Sequence, residues 1–270
     1  MIEARREALL AWYDRHRRTL PWRDAADPYA VLVSEIMAQQ TQISRVVPHF
    51  ERFVERFPTV EALAAASLRS VLAAWSGLGY NRRARYLQEA ARHIVEHGWP
   101  DPAALQTLPG VGPYTAAAVA SIAFGEPVAA VDTNARRVLS RWAGEELDGR
   151  ALQDVAASEL PPSRAADWNQ AIMDLGAGLC RPRPECGRCP VEPWCSDPSV
   201  YSPPGSQSAF DGSIRQARGA VLRTLLDRGS APVAGLSGLG IEPARLQTAL
   251  ESLHADGLIE QSGEAWAVRD

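Results

Sequence analysis

Leu108-Pro-Gly-Val-Gly-Pro-Tyr-Thr-Ala-Ala-Ala-Val-Ala-Ser-Ile-Ala-Phe-Gly125, followed by Val131-Asp-Thr-Asn-Ala-Arg-Arg-Val-Leu139, is the stretch that decides how the rest of the chain is read. Gly110 and Gly112 bracket a tight turn, and Pro113 sits where a helix tolerates proline, at its first position. The pattern predicts a hairpin between two helical segments. Backbone N–H groups at the start of the second segment have no intrahelical acceptor, so such a turn can hold a phosphate without any basic side chain. The other reading of Gly-x-Gly is an ordinary helix connection. Asp132, Thr133 and Asn134 can each cap the helix that carries Arg136, Arg137 and Leu139. Asp132 is therefore either that cap or, since only one residue caps a helix, a surplus carboxylate free for other work.

Working outward, residues 3 to 18 predict a first helix, with Ala8, Leu9, Trp12 and Tyr13 set against an arginine-rich face. Asp27 and Pro28 open a second helix that runs to Thr41, and Glu35 shares a stripe of it with Val31, Leu32 and Ala38. A carboxylate on an apolar stripe is costly unless paired, and desolvation raises its pKa. Glu35 is thus a functional acid or a structural glutamate satisfied by an arginine or a helix start. Further helices are expected from Arg45 to Phe57, Val60 to Ala66, Leu68 to Ser76 and Arg82 to His97, with Gly98 as the stop. Gly77-Leu-Gly-Tyr80 forms a second glycine turn, whose tyrosine can wedge into a base stack or simply pack.

The chain has 270 residues, 46% hydrophobic, with no low-complexity block, enough for one large core or two moderate ones. The first residues are charged, and no apolar run approaches the roughly 20 residues that span a bilayer. The expected setting is the cytoplasm, at the nucleoid in a bacterium, with no membrane partner. The net charge of −4 does not point to a polyanion, although basic clusters occur at Arg15 to Arg18, Arg82 to Arg85 and Arg136 to Arg141. All 28 basic residues are arginine. A lysine Schiff base with a sugar aldehyde is therefore excluded.

The four cysteines all fall in Cys180-Arg-Pro-Arg-Pro-Glu-Cys186-Gly-Arg-Cys189-Pro-Val-Glu-Pro-Trp-Cys195. In a cytoplasmic chain such grouping points to a metal or cluster rather than to disulfides. One C-x-x-C flanked on both sides by five-residue spacers fits a [4Fe–4S] loop better than the paired knuckles of structural zinc. After Pro204 the composition turns to Gly-Ser-Gln-Ser, a short linker. Residues 214 to 270 then read as a winged-helix-like module, with helices at Arg215 to Asp227 and Pro243 to Asp256 and a hairpin from Gly257-Leu-Ile-Glu to Glu264-Ala-Trp-Ala-Val.

Taken together, the glycine hairpin, the aspartate opening the next helix and the cysteine loop resemble the helix-hairpin-helix DNA glycosylases of the endonuclease III superfamily. Residues 19 to 195 are most similar to its adenine glycosylase branch, the MutY-type enzymes. The matching motifs are Leu20-Pro-Trp-Arg23, Ser34-Glu-Ile-Met-Ala-Gln-Gln-Thr-Gln42, Gly77-Leu-Gly-Tyr80, Leu108-Pro-Gly-Val-Gly112, Val131-Asp-Thr-Asn134 and Met173-Asp-Leu-Gly-Ala177. The resemblance implies an all-α, two-lobed fold: a six-helix barrel lobe over 20–131 with the helix-hairpin-helix, and an iron–sulfur lobe over 1–19 and 132–200. A linker at 201–213 and the small module at 214–270 follow.

The same resemblance implies roles for individual residues. Glu35 would protonate the adenine ring nitrogen and then activate water, and Asp132 would stabilise the cationic sugar or bond to it. Tyr114, which takes the place of the lysine of the lyase members, and Asn134 would orient them. Trp22, Arg23 and Asp174 would line the pocket for the extruded base, while Gln40 and Tyr80 would fill the duplex opposite it. Gly110, Gly112 and Thr115 would meet the DNA backbone, and Cys180, Cys186, Cys189 and Cys195 would hold a [4Fe–4S] cluster.

The implied partner is double-stranded DNA with A·8-oxoguanine or A·G mispairs, acted on by a monomer without lyase activity. The alternatives are a mismatch glycosylase for thymine or uracil and a non-catalytic iron–sulfur DNA-binding protein. The chain departs from the family pattern in a first cysteine spacer one residue short, in Ala38 and Asn81, and in a short C-terminal module that does not look like the larger domain, similar to a nucleotide pyrophosphatase, with which many relatives read 8-oxoguanine. The small module is expected to contact the damaged strand in its place, with Arg215, Arg218 and Arg223 on phosphates.

Overall fold

A computed structural model of the chain describes residues 1–23, 27–203 and 209–270. Residues 204–208 of the linker expected over 201–213 lie outside the described residues. The chain divides into two compact units, Met1–Glu35 with Pro100–Thr107 and Val111–Gly205, and Ile36–Trp99 with Leu108–Gly110 and Ser206–Asp270. The all-α expectation with a small C-terminal module holds.

In the first unit lie α1 (Ile2–His16), the start of α2 (Pro28–Ala38), α7 (Pro113–Phe124), α8 (Thr133–Ala143), α9 (Gly149–Glu159) and α10 (Ala165–Gly178). The apolar faces of α1, α8, α9 and α10 meet in one core that includes Leu9, Tyr13, Val138, Leu139, Trp142, Ala156, Trp168, Ile172 and Leu175. Asn169 of α10 bridges two segments, accepting from Ala130 N at 2.8 Å and donating to Ser121 Oγ at 2.9 Å and Val128 O at 2.8 Å. The backbone leading into α8 is thereby fixed. Arg5 and Glu159 form a buried ion pair that ties α1 to the end of α9.

The second unit carries α3 (Ile43–Arg56), α4 (Val60–Ala65), α5 (Leu68–Trp75) and α6 (Arg82–His97). Phe53 packs edge-on against Trp75, with ring centroids 6.0 Å apart. The C-terminal module follows, with α11 (Ile214–Arg228), β1 (Ser230–Pro232), α12 (Val233–Ser237), α13 (Pro243–Ala255), β2 (Ile259–Ser262) and β3 (Ala265–Val268). Its strands form an antiparallel sheet in the order β1-β3-β2. The expected hairpin is β2–β3; β1 and α12 were not legible, because a three-residue strand carries no readable alternation. Arg69 of α5 donates to the carbonyls of Leu225, Leu226 and Gly229 at 2.9 to 3.2 Å, satisfying the end of α11.

The glycine hairpin differs from its expectation in one arm. Its first arm is a 3₁₀ segment, Pro102–Thr107, and its second is α7 with Gly112 as N-cap and Pro113 in the first turn. Gly110 has φ +76°, and a Cβ there would meet the Tyr86 Cβ at 2.8 Å, whereas a Cβ on Gly112 would meet nothing within 4 Å. Gly110→Ala should therefore cost about 1 to 3 kcal/mol, and Gly112→Ala less than about 1 kcal/mol, in chemical denaturation. Equal costs would show that the turn is not set by this close approach.

Candidate active site

Glu35 sits late in α2, only 8% exposed, on the same stripe as the fully buried Val31 and Leu32. Burial dominates its electrostatics. It pushes the carboxyl up to about 7, with the Asp132 charge adding to the rise, while a hydrogen bond with Tyr114 and the positive charge of Arg23 pull the other way. The structure thus brings Glu35, Tyr114, Asp132 and Arg23 into one electrostatic neighbourhood. Tyr114, at the start of α7, has its own phenol pushed well above its usual value by burial and by the charges of Glu35 and Asp132. Its hydroxyl also reaches Met173 Sδ at 3.6 Å.

Asp132 is the N-cap of α8, the first of the two readings its sequence position allowed. Its Oδ1 accepts from Ala135 N at 2.7 Å and its Oδ2 from Asn134 Nδ2 at 2.8 Å. The two oxygens make the difference: one caps the helix while the other is held by the neighbouring amide. Asn134 in turn accepts from Arg137 Nη2 at 2.9 Å, and Arg137 also donates to the carbonyls of Gly176 and Cys180, each at 2.7 Å. The Asn134 Cβ lies where a Cβ on Gly176 would be, at 2.7 Å, so α8 and α10 can approach this closely only at a glycine.

Asp174 is 4% exposed and closed by a fork from Arg23, with two bonds of 2.7 Å, and by Arg18 Nε at 2.6 Å. Burial alone would raise its pKa, yet these two arginines hold it below the ordinary carboxylate range. Trp22 is buried beside this pair in sequence, at 7% exposure. Arg18, which the sequence reading placed only in a basic cluster, is thus part of the constellation. Thr115, expected against the DNA backbone, is 2% exposed, whereas Gly110 and Gly112 are at the surface.

In the second unit, Gln40 and Tyr80 share a property that no pattern in the sequence displays. They are the only non-glycine residues with positive φ among those described, at +56° and +47°. Such strain persists only where the surroundings impose it, and it gathers at functional sites. Arg83, 9% exposed, imposes it on both turns. It donates to the carbonyls of Ile36, Met37 and Gln39, to Thr41 Oγ1 and to the carbonyls of Gly79 and Tyr80. Its guanidinium also lies over the Tyr80 ring, 5.4 Å from the centroid. Burial lowers the Arg83 pKa to about 10, which leaves it charged at neutral pH.

The four cysteines are free thiols that line one cavity of about 200 Å³. Burial pushes Cys189 and Cys195 up to about 11, and negative charge on the other cysteines adds to the rise. Arg141 donates to Cys180 Sγ at 3.2 Å and to the carbonyls of Arg181, Pro182 and Val200 at 2.8 to 3.1 Å. Among the described residues, no three His, Cys, Asp or Glu side chains are arranged to hold a single ion. Four thiols around a cavity, with a buried guanidinium on one sulfur, fit a multi-atom group that needs thiolate ligands.

These features define a helix-hairpin-helix repair protein, and residues 33–154 match the family described as HhH-GPD superfamily base excision DNA repair protein. The adenine DNA glycosylase of Mycolicibacterium smegmatis is 42% identical over 276 residues, covering 95% of this chain and 92% of the relative. The human adenine DNA glycosylase is 44% identical over 214 residues, covering 72% of this chain and 39% of the human protein. Among solved structures, a thermostable thymine-DNA glycosylase is similar at 32% identity and a TM-score of 0.67, covering 72% of this chain and 96% of that one. The chain belongs to the MutY-type adenine DNA glycosylase family of the HhH-GPD superfamily.

Glu35 yields a stability prediction with a definite sign. Its pKa is higher in the folded chain, about 7 against an ordinary 4.5. Its contribution is therefore fully present below pH 4.5 and is lost as pH rises through about 7. Glu35→Gln is neutral throughout, so its stability relative to wild type should rise by roughly 3 kcal/mol between pH 4.5 and pH 8 in urea titrations. Parallel pH profiles would contradict the buried, neutral carboxyl.

Proposed function

We propose that this chain excises adenine mispaired with 8-oxoguanine or guanine, extruding the base and hydrolysing its N-glycosidic bond. The observation that carries the reading is the unequal treatment of two carboxyl groups in one site. Glu35 is buried with its carboxyl pushed up to about 7, whereas Asp132 lies at a helix N-terminus with two N–H donors on it. Cleavage of a glycosidic bond uses such a pair.

Glu35 donates its proton to a ring nitrogen of adenine, and the electrons of the C1′–N9 bond leave with the base. Asp132 faces the positive charge that develops on the sugar and stabilises it, or closes on it as an ester. The ionised Glu35 then takes a proton from water as the oxygen adds to C1′, which restores both groups. Tyr114 and Asn134 hold the two carboxyls in place. Arg23, locked by Asp174 against Arg18, shapes the wall that Trp22 shares. Gln40 and Tyr80 enter the duplex from their strained turns, and the N-terminus of α7 at Gly110 and Gly112 receives a backbone phosphate. The lobes drawn at 20–131 and at 1–19 with 132–200 are retained as a proposal for how these parts are carried, as is action as a monomer.

Cys180, Cys186, Cys189 and Cys195 would hold the [4Fe–4S] cluster, with Arg141 on the first sulfur. When bound, the cluster supplies a cross-link that shapes the loop. The first spacer, one residue short of the family pattern, is gathered by the Arg141 bonds to three successive carbonyls from Cys180 to Pro182.

Glu35→Gln should lower adenine release about 100- to 10 000-fold with duplex affinity retained, and Asp132→Asn about 100- to 1000-fold, both in single-turnover assays. Above about pH 7 the wild-type rate should fall roughly tenfold per pH unit as Glu35 loses its proton. Near-normal turnover by either variant would overturn the assignment. Thymine or uracil as the released base would favour the activity of the similar thymine-DNA glycosylase instead.

The purified chain should contain about four iron atoms. Zinc without visible absorption would contradict the cluster. Because the chain has no lysine, borohydride should trap no side-chain Schiff base with the abasic product.

A further inference from the structure

The C-terminal module was expected to place Arg215, Arg218 and Arg223 on DNA phosphates, and the structure gives two of them other partners. Arg218 is paired with Asp256 and Ser252 inside the module. Arg215, in the first turn of α11, donates from Nη1 to the Tyr80 hydroxyl at 3.3 Å. Arg223 alone of the three is exposed.

We propose that the C-terminal module braces Tyr80, with Arg215 as the positioning residue that sets how the enzyme discriminates the base opposite the target adenine. The proposal rests on the reading of Tyr80 as a residue that enters the duplex.

Three sets of observations carry it. Tyr80 is strained, and Arg83 holds the carbonyls of Gly79 and Tyr80 while the Trp75 indole N–H donates to Gly79 O at 3.1 Å. These contacts fix the turn at its backbone. Arg215 adds a contact to the hydroxyl at the far end of the ring, across 135 residues of sequence.

Arg215 is itself on a fixed mount. Ser213 caps α11 by accepting from Gln216 N, the Gln216 side chain accepts from Gly212 N at 2.7 Å, and Arg69 grips the other end of the helix. Asp256, at the end of α13, is paired with Arg82 on the helix that follows Tyr80, and its carbonyl accepts from Arg85 of the same helix. The module is thus docked on α5 and α6, which flank the Tyr80 turn in sequence. Holding the ring at both ends before DNA arrives removes an ordering cost that would otherwise be met on binding.

The test is single-turnover adenine release by the full chain from A·8-oxoguanine and A·G duplexes, with duplex affinity and thermal stability measured alongside. The variants are Arg215→Ala, Arg215→Lys, Tyr80→Phe, Tyr80→Ala and the double Arg215→Ala/Tyr80→Phe. If the brace is correct, Arg215→Ala and Tyr80→Phe each lower discrimination and affinity by up to about tenfold, as expected for one hydrogen bond from a charged donor. The double variant is then no worse than either single one, and Arg215→Lys restores part of the loss.

For Arg215→Ala the rate at saturating A·8-oxoguanine duplex stays unchanged, since Glu35 and Asp132 set it. Additive effects would overturn the brace, as would a loss in Arg215→Ala that tracks melting temperature alone. If Tyr80→Ala is damaging and Arg215→Ala is silent, the brace fails while the role of Tyr80 stands. If Tyr80→Ala is itself silent, the premise fails and the brace with it.

Discussion

The chemistry depends on keeping one carboxyl group out of water. A glutamate at the surface is ionised at neutral pH and a poor proton donor, the role proposed for Glu35; desolvation outweighs the hydrogen bond from Tyr114 and the pull of Arg23 and lifts its carboxyl to about 7. The surrounding structure guards that balance. The Arg23 fork is occupied by Asp174, so Arg23 acts on Glu35 through space instead of closing on it as a salt bridge, and Arg18 completes the charge count around Asp174. Were Asp174 absent, the guanidinium nearest Glu35 would lack its own counter-charge and the acid would be drawn toward ionisation.

Asp132 answers the opposite demand by an inexpensive route. As the N-cap of α8 it sits at the positive end of a helix, with one oxygen on Ala135 N and the other on Asn134. Capping and electrostatic stabilisation are one arrangement, since both need a carboxylate pointed past a helix start. The capacity of two oxygens to hold separate partners would let Asp132 cap the helix and still take the role proposed for it, which counting cap-competent residues along the sequence does not reveal.

How much could be read in advance followed how local the chemistry is. The cysteine loop, Gly110, Pro113 and the ambiguity at Glu35 were legible because spacing and residue type carry them. The strained backbone at Gln40 and Tyr80 was not, because positive φ at a non-glycine residue is imposed by distant groups, here Arg83; Tyr80 was legible only as the tyrosine of a glycine turn, and Gln40 only through family resemblance. The three-residue strand β1 has too few residues for alternation and exists because β3 offers it an edge. In α8, Asn134, Arg137 and Arg141 recur at offsets of three and four residues. That marks one helix face, a sign that these arginines point together at the segment from Gly176 to Pro182.

Several arginines, some of them within the basic clusters at Arg82 to Arg85 and Arg136 to Arg141, are internal fixtures at helix ends. Arg69 closes the end of α11, Arg83 that of α2, and Arg137 the end of α10, while Arg141 gathers the loop that follows α10. Each satisfies carbonyls that a helix leaves unpaired, at the end where its dipole favours a cation. One guanidinium carries five donors in a fixed plane and can serve several carbonyls together, whereas an ammonium is a compact point charge on a flexible stem. With arginine as its only basic residue type, the chain uses the side chain suited to this work, at the cost of cations that would otherwise face solvent. A net charge of −4 and a DNA partner are then compatible, because the unpaired backbone N–H groups at the start of α7 can receive a phosphate without a basic patch.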